Sequence, residues 1–138
     1  MFGALRQFEP QAYALMRIVF GFLFVFHGLQ KMFGVLGGQV FPLASLRGIA
    51  GLMELIAGPL ISLGLFTVPT AFICSGQMAV AYFINHQQRA FWPVQNGGEP
   101  AVLYCFAFLY IAARGAGILS VDGARTRSGG RLRAQMTT

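Results

Sequence analysis

The chain has 138 residues and a net charge of +6, with 56% apolar residues, only 10% charged residues and a mean hydropathy of +0.63. A soluble domain of this size carries roughly 25% charged residues to cover its surface, so an ordinary soluble domain is excluded and an integral membrane protein is the reading that remains. The positive charge does not point to nucleic acid: four of the ten basic residues crowd into the tail "ARTRSGGRLRAQMTT" with no aromatic residue among them, which in a membrane chain is a topology signal.

The chain opens with a short amphipathic stretch, "RQFEPQ", and the first predicted helix spans residues 13–33. It is a retained helix rather than a cleaved leader, because it carries Arg17 and lacks an A-x-A site. "FGVLGGQVFP" then holds three glycines and a proline and reads as a loop. A second helix is predicted over 47–66, and a third follows over 68–85 after the tight turn "FTVPT". Pro69 stands in the first turn of the third helix, where its missing N–H does no harm. "NHQQRAFWPVQNGGEP" leads to a fourth helix over 101–119, opened by Pro100, with Glu99 facing the positive end of its dipole. Phe91 and Trp92 read as an interfacial anchor. The fold class is therefore all-α, a four-helix transmembrane bundle over residues 1–122, with 123–138 as a mobile basic tail that lacks any hydrophobic period. Each span is close to the ~20 residues that a helix needs to cross the hydrocarbon layer.

Basic residues set the orientation. Seven (Arg6, Arg17, Arg114, Arg125, Arg127, Arg131 and Arg133) fall on one side and three (Lys31, Arg47 and Arg89) on the other. This bias places both termini in the cytoplasm and the cluster Lys31, Arg47, His86, Arg89, Trp92 and Glu99 on the outer side. Lys31, Arg47 and Arg114 read as rim residues that snorkel.

The polar residues inside the spans carry the functional question. Arg17, Gly21, Phe24, Gly28 and Lys31 form one stripe of the first helix, and Arg47, Gly51, Glu54 and Gly58 form one stripe of the second. Small residues in such stripes let helices approach closely, so the two stripes are expected to face each other. Glu54 lies about 10 Å below the outer rim and His27 about 9 Å below it. Glu54 is thus expected to meet His27 or Lys31, and not Arg17 near the opposite rim. An intramembrane carboxylate is a functional candidate by default, and the plainer reading is an ion pair that locks two helices. Glu54, His27, Lys31, Arg47, His86 and Glu99 make up the candidate pocket. Bis-histidine ligation of a haem or metal by His27 and His86 is set aside in favour of paired, neutral imidazoles, so no metal site is expected. Cys74 and Cys105 are placed about 15 Å apart in depth and read as apolar core residues, too far apart for a disulfide. No C-x-x-C, G-x-G-x-x-G or Walker loop occurs, and no cofactor signature is present.

Several stretches together resemble the DoxX family of small membrane proteins: "RIVFGFLFVFHGLQKMFG", "ELIAGPLISLGLFT" and "GGEPAVLYCFAFLYIAARGAGILSVD". The family's closing G-P-G reads Gly115-Ala116-Gly117 here. Carried over by position, the family's signature residues are Arg17, Gly28, Lys31, Glu54, Gly58, His86, Gly98, Glu99, Gly115, Gly117, Ser120 and Asp122. The resemblance implies a multi-pass protein of the bacterial inner membrane, associated with redox chemistry on a quinone, a small sulfur compound or a thiol. The partners it implies are the lipid bilayer, redox enzymes and a second copy of the chain, with quinone as the candidate cofactor. Against a membrane oxidoreductase subunit stand two other readings: a non-catalytic scaffold or anchor, and a small proton-coupled transporter. The transporter ranks last, because exporters of that size keep their glutamate on the first helix, whereas Glu54 is on the second.

Overall fold

The computed structural model describes the backbone of residues 3–136 and the side chains of residues 3–128. Among the described residues all regular structure is helical. Helix α1 (Gly3–Arg6) leads into α2 (Glu9–Phe33), followed by a 3-10 turn at Val35–Gly37. Next come α3 (Leu46–Leu63), α4 (Thr67–Asn85), the short α5 (Pro93–Asn96), α6 (Glu99–Arg114) and α7 (Val121–Met136). Helices α2, α3 and α4 are long and apolar enough to cross a membrane. At 16 residues, α6 is shorter.

Local chemistry sets the helix ends. Ser45 caps α3 by accepting the Gly48 N–H at 3.0 Å. Gly34 and Gly64 close α2 and α3 in the left-handed region at φ +67° each, where a side chain would be strained. Pro10 and Pro100 stand in the first turns of α2 and α6, where no intrahelical N–H is needed.

The helices pack in two close pairs, α2 with α3 and α4 with α6, and α3 and α4 join the pairs. The α2–α3 seam is the expected one. A Cβ on Gly21 would stand 2.7 Å from the Gly58 carbonyl, and one on Gly28 would stand 2.8 Å from the Gly51 carbonyl. Only glycine allows the backbones this close. Where the pairs meet, Phe24, Ile61, Cys74, Met78, Tyr104, Phe108 and Ile111 form the core. The outer faces keep large apolar side chains bare, among them Phe22, Ile56, Phe72, Ile73, Leu103 and Phe106. Water would not tolerate so continuous an apolar surface, and lipid suits it.

Three expectations need correction. The fourth helix ends at Arg114, not 119, and the chain then turns through Gly115 (φ +84°), Gly117 (φ +68°) and Leu119 (φ +52°). The tail, expected to lack any hydrophobic period, forms a helix from Val121 to Met136 that its pattern did not announce. Ser120 accepts the Gly123 N–H at 3.1 Å and Asp122 lies in the first turn, so the helix has a start signal. Arg131 and Arg133 lie outside the described side chains. Finally, Ser75 Oγ donates to the Cys105 carbonyl at 2.8 Å, which sets Cys105 level with the neighbour of Cys74 rather than about 15 Å away along the bundle. Both cysteines are free.

Candidate functional site

One large cavity, about 880 Å³, opens between α2, α3, α4 and α6. His27 and Lys31 border it from α2, Arg47, Ala50 and Glu54 from α3, Gln77 from α4, His86 from just past the end of α4, and Tyr104 from α6. Its walls are mostly apolar and aromatic. A pocket of this size with a few converging polar groups is the usual form of a small-molecule site.

Glu54 is the polar centre and is fully buried. Its Oε1 accepts a charge-assisted hydrogen bond from Lys31 Nζ, and a second hydrogen bond from Gln77 Nε2 at 3.1 Å. Its Oε2 is buried and has no partner. Lys31 can reach it because Gly51 lies under the lysine stem: a Cβ there would stand 2.8 Å from Lys31 Cβ. Of the two partners allowed by depth, the structure therefore selects Lys31. His27 sits beside the site and packs edge-on to Tyr104, with ring centroids 5.6 Å apart. Gln77 was missed in the sequence, although it is the one amide in the span "FICSGQMAVAYF", and that isolation was the available signal.

The cavity rim holds the other polar residues. Arg47 is exposed, donates to Asn85 Oδ1 at 3.4 Å and stacks over Phe41 at 5.1 Å. The His86 ring bonds through Nδ1 to the Asn96 carbonyl at 3.2 Å, and this carbonyl requires Nδ1 to carry the proton. Buried Asn96 holds the α4–α6 connection by donating to Ala90 O at 3.0 Å and accepting from Gly98 N at 2.7 Å. Gly98 must be small, because a Cβ would meet the Tyr82 ring at 2.7 Å. Glu99 is exposed at the start of α6 and does not border the cavity. Among the described residues, no group of three or more His, Cys, Asp and Glu could hold a metal ion.

Arg17, read as a rim residue, is instead fully buried at the far end of the bundle. Its Nη1 donates to the Ile61 and Ser62 carbonyls at 2.6 and 2.7 Å, and its Nη2 donates to Leu119 O at 2.7 Å. The guanidinium thus satisfies the Ser62 carbonyl, shares the Ile61 carbonyl with the Gly64 N–H, and sits at the negative end of the α3 dipole. The same end binds the segment after α6. Asp122 accepts from Phe66 N, Thr67 N and Thr67 Oγ1 at 3.2, 2.9 and 2.9 Å, which caps α4. Burial acts to raise the Asp122 carboxyl, but the Thr67 and Phe66 hydrogen bonds and the Arg125 charge outweigh it and hold the group below its ordinary value. Tyr13 donates to Gly115 O at 2.5 Å, and Ser120 donates to Gly117 O at 2.6 Å. A Cβ on Gly64 would collide with Ser120 Cβ at 2.3 Å. Arg17, Gly115, Gly117, Ser120 and Asp122 therefore form a clasp and not a pocket.

The fold and its lipid-facing surface define an integral membrane protein built of apolar helices. Residues 12–87, which include Arg17, Lys31, Glu54 and Gln77, match the DoxX family model, and the chain belongs to the DoxX family. It is also 38% identical over 125 residues to an uncharacterised protein of Haemophilus influenzae, covering 86% of this chain and 93% of that one. No solved structure matches it. Gly98, Glu99, Gly115, Gly117, Ser120 and Asp122 lie beyond the segment matched by the family model.

Proposed function

We propose that the protein is an inner-membrane subunit associated with redox chemistry, and that it takes a quinone or a small sulfur compound or thiol into the cavity beside Glu54. One observation carries this reading: a fully buried carboxylate borders the cavity with one oxygen paired and the other unpartnered. A carboxylate so placed is suited to hold or accept a proton from a bound molecule. Electrons would pass between the ligand and a partner protein, since the sequence carries no cofactor motif.

In this reading α2, α3, α4 and α6 cross the bilayer as a four-helix bundle with both termini cytoplasmic. Arg17 is buried among carbonyls and no longer counts toward the charge bias, but the remaining Arg and Lys residues still divide six to three. A C-terminal reporter active only in the periplasm would overturn the orientation. The ligand reading is tested on purified protein in nanodiscs, by measuring binding of a short-chain quinone and its reduced form to the native chain and to Glu54→Gln. Binding by the native chain that the variant loses or alters, while both remain folded, supports it. Absence of any binding supports the second reading, a non-catalytic scaffold in which the Lys31–Glu54 pair ties α2 to α3.

A further inference from the structure

The charges that border the cavity do not balance. Lys31, Arg47 and Arg89 are positive, and Glu54 is the one carboxylate among the bordering residues. Glu54 is paired with Lys31. The other ion pair among the described residues joins Arg114 to Glu9 at the opposite end of the bundle, so Arg47 and Arg89 have no carboxylate partner there. Both stand at one end of the cavity. Arg47 lies in the first turn of α3 and donates at 3.4 Å to Oδ1 of Asn85, the last residue of α4. Arg89 follows in the next turn, where its N–H donates to the His86 carbonyl at 2.9 Å. Phe91 and Trp92 come directly after it, both exposed, with ring centroids 5.0 Å apart. Exposed aromatic residues of this kind mark the level of the lipid head groups.

The wall below these arginines is apolar and open. Ile73, Gln77, Val80 and Ile84 share one stripe of α4, and all four border the cavity. Ile73, Val80 and Ile84 are nonetheless exposed, as is Ile49 of α3, which also borders it. Helices α3 and α4 therefore leave a crevice between them, which runs about 16 Å from Ile73 to Ile84 by helical rise. Ile84 adjoins Asn85, the residue that Arg47 contacts, so the crevice ends at the arginines.

We infer that this crevice seats a membrane phospholipid with a net negative head group, its phosphate held by Arg47 and Arg89 and one acyl chain laid along Ile84, Val80 and Ile73. Guanidinium groups present planar forks of donors that match phosphate oxygens. The unbalanced positive charge repels the ammonium of a zwitterionic head group and favours a net anion. A small free anion would leave the apolar wall uncovered, whereas an acyl chain covers it. The inference goes beyond the redox reading and does not depend on it: that reading concerns the Glu54 carboxylate, and this one concerns two arginines and the α3–α4 crevice.

The full chain, purified in detergent, is titrated with phosphatidylglycerol and with phosphatidylcholine of the same acyl chains, and the first lipid bound is followed by native mass spectrometry. Phosphatidylglycerol should fill one site at least about tenfold more tightly. Arg47→Gln combined with Arg89→Gln should erase that preference. Arg125→Gln combined with Arg127→Gln should keep it, since those arginines lie on α7 and do not border the cavity. Val80→Trp fills the crevice from an exposed position and should weaken phosphatidylglycerol binding. Inorganic phosphate should not displace the lipid. Equal binding of the two lipids overturns the inference. So does a preference that survives the loss of Arg47 and Arg89, or one that falls as much with Arg125 and Arg127, which marks general charge attraction. Unchanged binding in Val80→Trp places the lipid outside the crevice, and displacement by inorganic phosphate or by oleate assigns the site to another anion; either result also overturns it. The comparison of the two lipids on the native chain decides the matter even if a variant does not fold.

Discussion

Arg17 and Glu54 are both fully buried charges in apolar helices, yet their surroundings differ in kind. Three backbone carbonyls surround the Arg17 guanidinium within 2.7 Å, and the chain folds over it through Ser120 and Asp122. Glu54 has both of its donors on one oxygen and a cavity beside it. Desolvation penalises both residues. At Arg17 the penalty is offset by hydrogen bonds from both terminal nitrogens, with only Nε left unpartnered and no cavity bordering the residue, so the charge holds three segments together. At Glu54 it is offset in part: Oε2 has no partner, and a cavity borders the residue. Burial alone therefore does not mark a functional charge; incomplete satisfaction beside a cavity does.

The largest expected effect breaks the closed end. Arg17→Ala removes the guanidinium and leaves the Ser62 and Leu119 carbonyls without their donor, and at about 1–3 kcal/mol for each it should cost roughly 2–6 kcal/mol. Arg17→Lys should fall between, because a single ammonium cannot span the α3 carbonyls and Leu119 as a planar fork does. Thermal unfolding in detergent measures both. A midpoint for Arg17→Ala within about 2 °C of the native value would dismiss the clasp.

Next in size is Asp122→Ala, which removes the cap from Phe66 and Thr67 and should cost about 1–2 kcal/mol. The pH dependence has a definite sign. The folded carboxyl titrates below its ordinary value of 3.8, so the unfolded chain binds the proton more readily. The stabilisation is fully present above that ordinary value and is lost as pH falls through the depressed folded one. The stability gap between native protein and Asp122→Asn should therefore be widest near neutrality and narrow in acid. A gap that widens below pH ~4 would contradict the assignment.

Much of the cavity end was legible in the sequence, because side-chain types and helical spacing carried it. The glycine stripes fixed the α2–α3 seam, and counting rise per residue put Glu54 within reach of Lys31. The clasp was not legible for a physical reason: the partners of Arg17 are carbonyls, which every residue has, so no residue type announces them. Counting Arg17 as a topology charge followed from that. The helix after Ser120 escaped notice because its start depends on a hydroxyl cap and not on an apolar period, although a serine three residues before Gly123 was there to read. Glu99 looked like a pocket residue by its position in the loop, but its side chain turns outward once Asn96 and Gly98 close the α4–α6 connection.

The smallest expected effect on folding separates the two readings of the open end. If the Lys31–Glu54 pair exists to lock helices, removing both charges should cost as much as the worse single change. If the pair is retained for a ligand, the α2–α3 seam should hold without it, since Gly21, Gly28, Gly51 and Gly58 already bring the backbones into contact. Glu54→Leu alone leaves the Lys31 ammonium without its partner and should destabilise. Lys31→Met combined with Glu54→Leu removes that imbalance, and apolar replacement of a buried pair is close to neutral, so the double variant should unfold within about 1 kcal/mol of the native protein. It should also lose the binding of the short-chain quinone, because the carboxylate bordering the cavity is gone. A double variant as unstable as Glu54→Leu would favour the scaffold. A stable double variant that still binds the quinone as the native chain does would move the site away from Glu54.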